Sequence, residues 1–264
     1  MNITPTTGNF CSTTGISNLS RGAVDGLGNA WAVGYSAIAK VNAAGALAAT
    51  APISQGCFYP DATAFSSSNL NLAAESVTAE ILYDHVHGQL WGHSYLGAGT
   101  ITDAGAAVFC DFGATTLPVL PLYESTSTTP GSAYSAGSVL ITTAKLDGAG
   151  NLWFVSGGAT ASGVVGTVAN TFTGSITYNS YLSEVSPTGA LLTPYNASNQ
   201  TYGLQPTGFG PNVTASGTNA SVSPSEGSVG LLGVDRFGNI WVADSATYKL
   251  LKITGLAVAN TVNY

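Results

Sequence analysis

Residues 235–241 read DRFGNIW, and the same frame recurs as DGLGNAW at 25–31 and DGAGNLW at 147–153. A looser copy, HVHGQLW, occupies 85–91. The chain of 264 residues has four tryptophans, and Trp31, Trp91, Trp153 and Trp241 each close one copy. In every copy an apolar run (GAVD, AEILYD, TAKLD, LLGVD) ends at Asp. A tight turn containing Gly follows, then Asn or Gln, then a second apolar run (AWAV, LWGH, LWFV, IWVA). That order is strand, hairpin turn, strand. Gly28, Gly150 and Gly238 should supply the positive φ that such turns require. The carboxylates of Asp25, Asp147 and Asp235 can cap the turn N–H groups beside Asn29, Asn151 and Asn239. Four tryptophans at one motif position, between apolar neighbours, point to packing and not to a ligand platform.

A second hairpin follows each copy: AIAKVNAAGALAAT at 37–50, GTITDAGAAVF at 99–109, YLSEVSPTGALLTP at 181–194 and KLLKITGLAVAN at 249–260. Each unit is therefore expected to hold four short antiparallel strands, with the tryptophan on the second. Runs such as LWFV and IWVA are apolar on both sides of the pleat, so each sheet should be covered on both faces. Repeated four-stranded units of this kind predict an all-β fold, a β-propeller with four recognisable blades at roughly 16–50, 77–113, 139–194 and 229–264. The expectation is one domain over 1–264, with further degenerate blades or strands in the joins between units.

The stretch GVDRFGNIWVADSATYKLLKI at 233–253 resembles the NHL-repeat and streptogramin-lyase-like propellers of secreted bacterial type. The shared features are a first strand ending in Asp, a Gly-Asn turn, an aromatic on the second strand, and a basic or polar residue before the apolar end of the third. The resemblance covers the four motif segments, about half the chain. It implies a propeller of about six blades, and for the enzymes of that group a set of His and Glu around the central axis, which no residues here match one by one.

Charged residues are 7% of the chain and the net charge is −7 with six basic residues, so no patch can neutralise a run of phosphates. Nucleic acid and anionic membranes are thereby excluded as partners. Gly148 to Ser183 carries no charge, but Gly, Ser, Thr and Asn interrupt its apolar residues, so it does not read as a membrane span. The start, MNITPTTGNF, lacks the basic and apolar regions of a secretion signal and reads as a mature or excised segment. Cys11, Cys57 and Cys110 have no CxxC spacing; one disulfide with one thiol left over fits them, and Cys11 with Cys57 is the favoured pair.

The turns within units are short, whereas the joins at about 51–76, 114–138 and 194–228 and the swollen join at 157–178 are long. In an up-and-down blade all four lie on one face of the disc, so partners are expected there. These joins hold few charges and no basic residue, which suits neutral ligands, with Tyr59, Tyr202 and Phe209 as candidate contacts. His85 and His87, two apart near Asp84 and His93, form the one metal hypothesis, though their register places them on the short turn of the second copy.

The expected function is therefore a non-enzymatic secreted or cell-surface module that binds other protein subunits, copies of itself or neutral glycans, with no cofactor. A lyase or lactone hydrolase on the same scaffold is the alternative. MNITPTTGNF at the start and LAVANTVNY at the end are expected to pair, within one chain or between copies.

Overall fold

The computed structural model describes residues 21–33, 37–52, 80–94, 97–103, 107–112, 117, 120–124, 129–166, 172–194, 203–204, 214–218, 229–244 and 248–259. Among these residues there is no helix, and the strands form antiparallel sheets. The chain divides into two compact units, Met1–Thr115 with Ser186–Ala190, and Thr116–Val185 with Leu191–Tyr264.

The first unit holds two four-stranded meanders. One contains β1 (Arg21–Val24), β2 (Ala30–Val33), β3 (Ala37–Val41) and β4 (Leu47–Pro52); the other contains β5 (Glu80–Asp84), β6 (Gln89–Ser94), β7 (Gly97–Thr102) and β8 (Ala107–Phe112). Their core is Trp31 with Ile81, Leu90 and Ile101, against which Ala23 and Tyr83 pack. Strand alternation explains the arrangement, because Trp31 and Ala23 are cross-strand partners on one face of the first sheet while Tyr83, Leu90 and Ile101 are partners in one row of the second. Trp31 thus faces the second sheet, and Leu90, the residue before Trp91, faces the first. That is why the motif is apolar on both sides.

The second unit repeats this packing with different outlines. A five-stranded sheet runs in the order β13 (Thr214–Thr218), β12 (Phe172–Val185), β11 (Leu152–Val165), β10 (Ala133–Leu146) and β9 (Leu120–Glu124). Beside it lies a three-stranded sheet of β14 (Val229–Val234), β15 (Ile240–Asp244) and β16 (Lys249–Ile253). Trp153, Val155 and Leu182 of the first pack on Ile240 and Val242 of the second, with Val234, Leu251, Ile253 and Ala257 at the margin. Burying such side chains stabilises by about 1.5–3 kcal/mol each.

Two expectations are corrected here. The join at 157–178 is largely strand: β11 and β12 run on for 14 residues each and pair from Leu152 with Val185 out to Val165 with Phe172. β9 and β13 come from the joins on either side and flank them. The second correction concerns KLLKITGLAVAN, which forms no second hairpin among the described residues. After β16 the chain turns at Gly255, and Ala257 N–H then donates to Gly238 O while Val258 N–H donates to Asp147 Oδ2. The segment caps two motif turns instead of adding a strand. The third unit's last strand is likewise reduced: among the described residues the inner half of β12 is flanked by two isolated bridges, Val185 with Leu191 and Leu182 with Leu204.

Candidate functional site

The repeated frame is a closed hydrogen-bond cage. In the first copy Asp25 Oδ1 accepts from the N–H groups of Leu27 and Asn29, while Oδ2 accepts from Asn29 Nδ2 at 2.7 Å and from the Trp31 indole at 3.2 Å. Asp147 takes the same set from Ala149, Asn151 and Trp153, and Asp235 from Phe237, Asn239 and Trp241. Gly28, Gly150 and Gly238 close these turns at φ of 77°, 76° and 75°, where a Cβ is strained. Each carboxylate has its lone pairs engaged, so a catalytic duty would need the cage to open. Burial pushes the Asp25 carboxyl up, but donation from Asn29, Trp31 and Leu27 outweighs it and holds the group below its usual range. Donation from the Asn239 side chain leads the same downward effect at Asp235, against partial burial, with Trp241 and Phe237 adding to it.

The second copy solves the turn differently. Asp84 and Trp91 are one residue further apart than in the other frames, and the turn closes through Gly88 N–H to Asp84 O. Asp84 Oδ2 lies 2.7 Å from His87 Nδ1 and accepts from Gln89 Nε2 at 3.2 Å. His87 therefore serves the cage from a largely exposed position, and His85 stands edge-on to Tyr83 at 4.9 Å. His93 is buried with Nε2 3.5 Å from Glu80 Oε2. Among the described residues no three His, Cys, Asp or Glu side chains are grouped as metal ligands. Tyr59, Tyr202, Phe209, Cys11 and Cys57 lie outside the described residues.

Opposite each tryptophan stands a residue that varies. Lys40 pairs with Trp31 and Lys252 with Trp241; Thr100 pairs with Trp91 and Glu184 with Trp153. Lys40 Nζ lies 4.8 Å from the Trp31 ring centre, 3.6 Å from Asp25 Oδ2 and 3.8 Å from Asp103 Oδ1, so it neutralises the cage and reaches the next sheet. Glu184 does the reverse. Its Oε1 accepts from Asn151 at 2.8 Å beside the Asp147 carboxylate, and burial together with that like charge pushes its pKa up to about 7. The position is legible in sequence as the polar residue before the apolar end of the third strand, but its consequence depends on which neighbours the fold supplies.

The outer half of the five-stranded sheet has a distinct surface. Ser135, Ser162, Ser175 and Ser216 form one cross-strand row over four strands. The next row along is Gly137, Thr160, Thr177 and Thr214; on the other side it is Ala133, Val164, Thr173 and Thr218. Rows on one face repeat at about 6.8 Å along the strands and neighbours within a row at about 4.8 Å. Ser135, Ser162 and Thr173 are exposed, whereas Ala161 on the opposite face is buried. No residue of the three rows carries a charge. The sequence reading places a long join here, although the alternation Thr160-x-Ser162-x-Val164 and Thr173-x-Ser175-x-Thr177 is a strand signal.

No family model and no curated protein matches the chain. Among solved structures, two of the extracellular domain of a B. thetaiotaomicron protein, described once as a one-component system and once as a hybrid two-component system, align with TM-scores of 0.31 and 0.32 at 12% identity. Each covers 90% of this chain and 27% of that one, so the chain spans about a quarter of their length. A protein of unknown function from Bacteroides caccae aligns with a TM-score of 0.27 at 11% identity, over 84% of this chain and 66% of that one.

Proposed function

We propose that the chain is a non-enzymatic extracellular or cell-surface module, a β-propeller of the NHL-repeat and streptogramin-lyase-like kind, that binds neutral partners and assembles with copies of itself. The observation that carries this reading is the outer half of the five-stranded sheet. Strands drawn from three of the long joins come together there, and their rows of Ser and Thr hydroxyls carry no charge. Such a surface exchanges hydrogen bonds with a carbohydrate-like or neutral protein surface without stripping water from ions. The Asp, Asn and Trp groups of the repeats support a scaffold role, since their polar atoms are spent on the turns.

The test is titration of neutral soluble polysaccharides into the chain at low and high salt, with Ser162→Glu as the control on an exposed site. Binding that is insensitive to salt and lost in Ser162→Glu is expected. Binding unaffected by that substitution would remove the sheet from the proposal. A stoichiometric metal ion, or turnover dependent on His85 and His87, would favour the lyase or hydrolase alternative.

A further inference from the structure

Asn151 stands between two acceptors. In the first and last copies of the frame the turn asparagine donates to its own aspartate, Asn29 Nδ2 to Asp25 Oδ2 at 2.7 Å and Asn239 Nδ2 to Asp235 Oδ2 at 2.8 Å. In the third copy the same atom lies 3.5 Å from Asp147 Oδ2 and donates at 2.8 Å to Glu184 Oε1 instead. The residue opposite the tryptophan explains the exchange, because Lys40 and Lys252 hold that place in the other two copies and an ammonium cannot accept from an amide. The backbone of 254–259 takes up the acceptor that Asn151 has left. Val258 N–H donates to Asp147 Oδ2 at 3.2 Å, and Gly148 N–H donates to Val258 O at 3.1 Å. The same segment is tied separately to the last sheet, through Ala257 N–H to Gly238 O and Gly255 N–H to Asn239 Oδ1. It buries little of itself, since Thr254, Gly255, Leu256 and Val258 are exposed and only Ala257 and Ala259 are half-buried.

We propose that residues 254–259 form a latch on the Asp147 turn, held shut while Glu184 is protonated and released when Glu184 ionises. A second carboxylate charge beside Asp147 is unfavourable, and Glu184 is only half-buried, so an ionised side chain can turn out to water. Asn151 is then free to return to Asp147 Oδ2, as Asn29 and Asn239 bind theirs, and competes there with Val258 N–H. Few charged groups surround Glu184. Asp147 reaches it through Asn151, Lys145 lies in the same cross-strand row on the other side of Trp153, and Asp235 and Arg236 sit in the turn at the latch's second anchor. Residues 191–194 and the latch itself carry no charge. Burial and the Asp147 charge push the closed-state carboxyl of Glu184 up from 4.5 to about 7, so closing the latch favours the bound proton. Closure is therefore complete below the ordinary carboxyl range and is lost as pH rises through 7. The bonds to Gly238 and Asn239 involve no titrating group, so the segment opens at its Asp147 end alone.

Amide hydrogen exchange on the full chain, read residue by residue by NMR and corrected for the intrinsic base-catalysed rate, tests this. Protection of the Val258 and Gly148 amides should fall about tenfold between about pH 6 and about pH 8, while that of Ala257 and Gly255 stays level. Glu184→Gln keeps the acceptor for Asn151 but cannot ionise, so Val258 and Gly148 should remain protected at both pH values. Val258 protection that is independent of pH in the wild type would overturn the proposal, and so would a fall that persists in Glu184→Gln. Loss of Ala257 protection in step with Val258 would also overturn it, since the whole segment would then be opening and not a latch at one end.

Discussion

Trp153 and Trp241 sit in the same frame, on neighbouring sheets of one unit, and end in different surroundings. Trp153 is buried under Ile240 and Val242, and its cross-strand partner is Glu184. Trp241 is half-buried under Lys252, whose Nζ stands 5.5 Å from the ring centre. Both indoles donate to the Asp of their own turn at about the same distance, 3.1 and 3.0 Å. The local cage is therefore independent of what covers the tryptophan. The sequence around each Asp builds it, and the next sheet only decides how much apolar area the ring removes from water.

Truncating the two rings sharpens that contrast. Trp153→Ala should cost about 3–5 kcal/mol, whereas Trp241→Ala should cost about 2 kcal/mol, because a half-buried ring leaves a smaller cavity. Urea denaturation of both variants reads the difference, and equal losses would mean that the cage, not the covering sheet, dominates. The turn glycines give the next largest effect. A Cβ at Gly238 would run into the Ala257 carbonyl, while one at Gly28 would only touch Ala43 at 3.9 Å. Gly238→Val should therefore destabilise by about 2–4 kcal/mol, and Gly28→Ala by about 1 kcal/mol from its φ alone.

The partner opposite the tryptophan makes a pH-dependent difference. The folded-state pKa of Glu184, about 7, lies above the ordinary 4.5, so folding favours its protonated form. The associated stability is fully present below about pH 4.5 and is lost as pH rises through 7, by about 2 kcal/mol after allowance for its partial exposure. Glu184→Gln should flatten this loss between pH 5 and 8, and Glu184→Lys should raise stability at pH 8 by placing a cation beside Asp147, as Lys40 stands beside Asp25. An unchanged slope in Glu184→Gln would assign the pH dependence elsewhere. The smallest effect belongs to the second copy. His87→Ala should cost about 1 kcal/mol or less, since Asp84 keeps Gln89 and two backbone donors and His87 is largely exposed.

Much of the local architecture is legible in the chain. The Asp-x-x-Gly-Asn-x-Trp spacing announces the hairpin, because only Gly takes the turn's positive φ cheaply and a carboxylate six residues before an indole can reach it across a short turn. The apolar residues on both sides of Trp153 announce a sheet covered twice. The uncharged stretch after it was misread. Gly163 and Gly174 stand opposite each other where either Cβ would strike the partner strand's backbone, so glycines that look like loop residues are there to let two strands approach.

The sequence by itself determined the three Asp-x-x-Gly-Asn turn cages, the strands beside them and the neutral character of the long joins, since these follow from contacts within a few residues. Only the tertiary structure decided the rest. It drew β9 and β13 from separate joins onto one sheet and carried 254–259 back over Gly238 and Asp147. It also set Glu184 against a carboxylate and left Trp241 half-buried where Trp153 is covered by an apolar row. Each of these outcomes depends on which distant strand arrives alongside, and pairing over long separations is settled by competition among faces of similar apolar content, which no local spacing encodes.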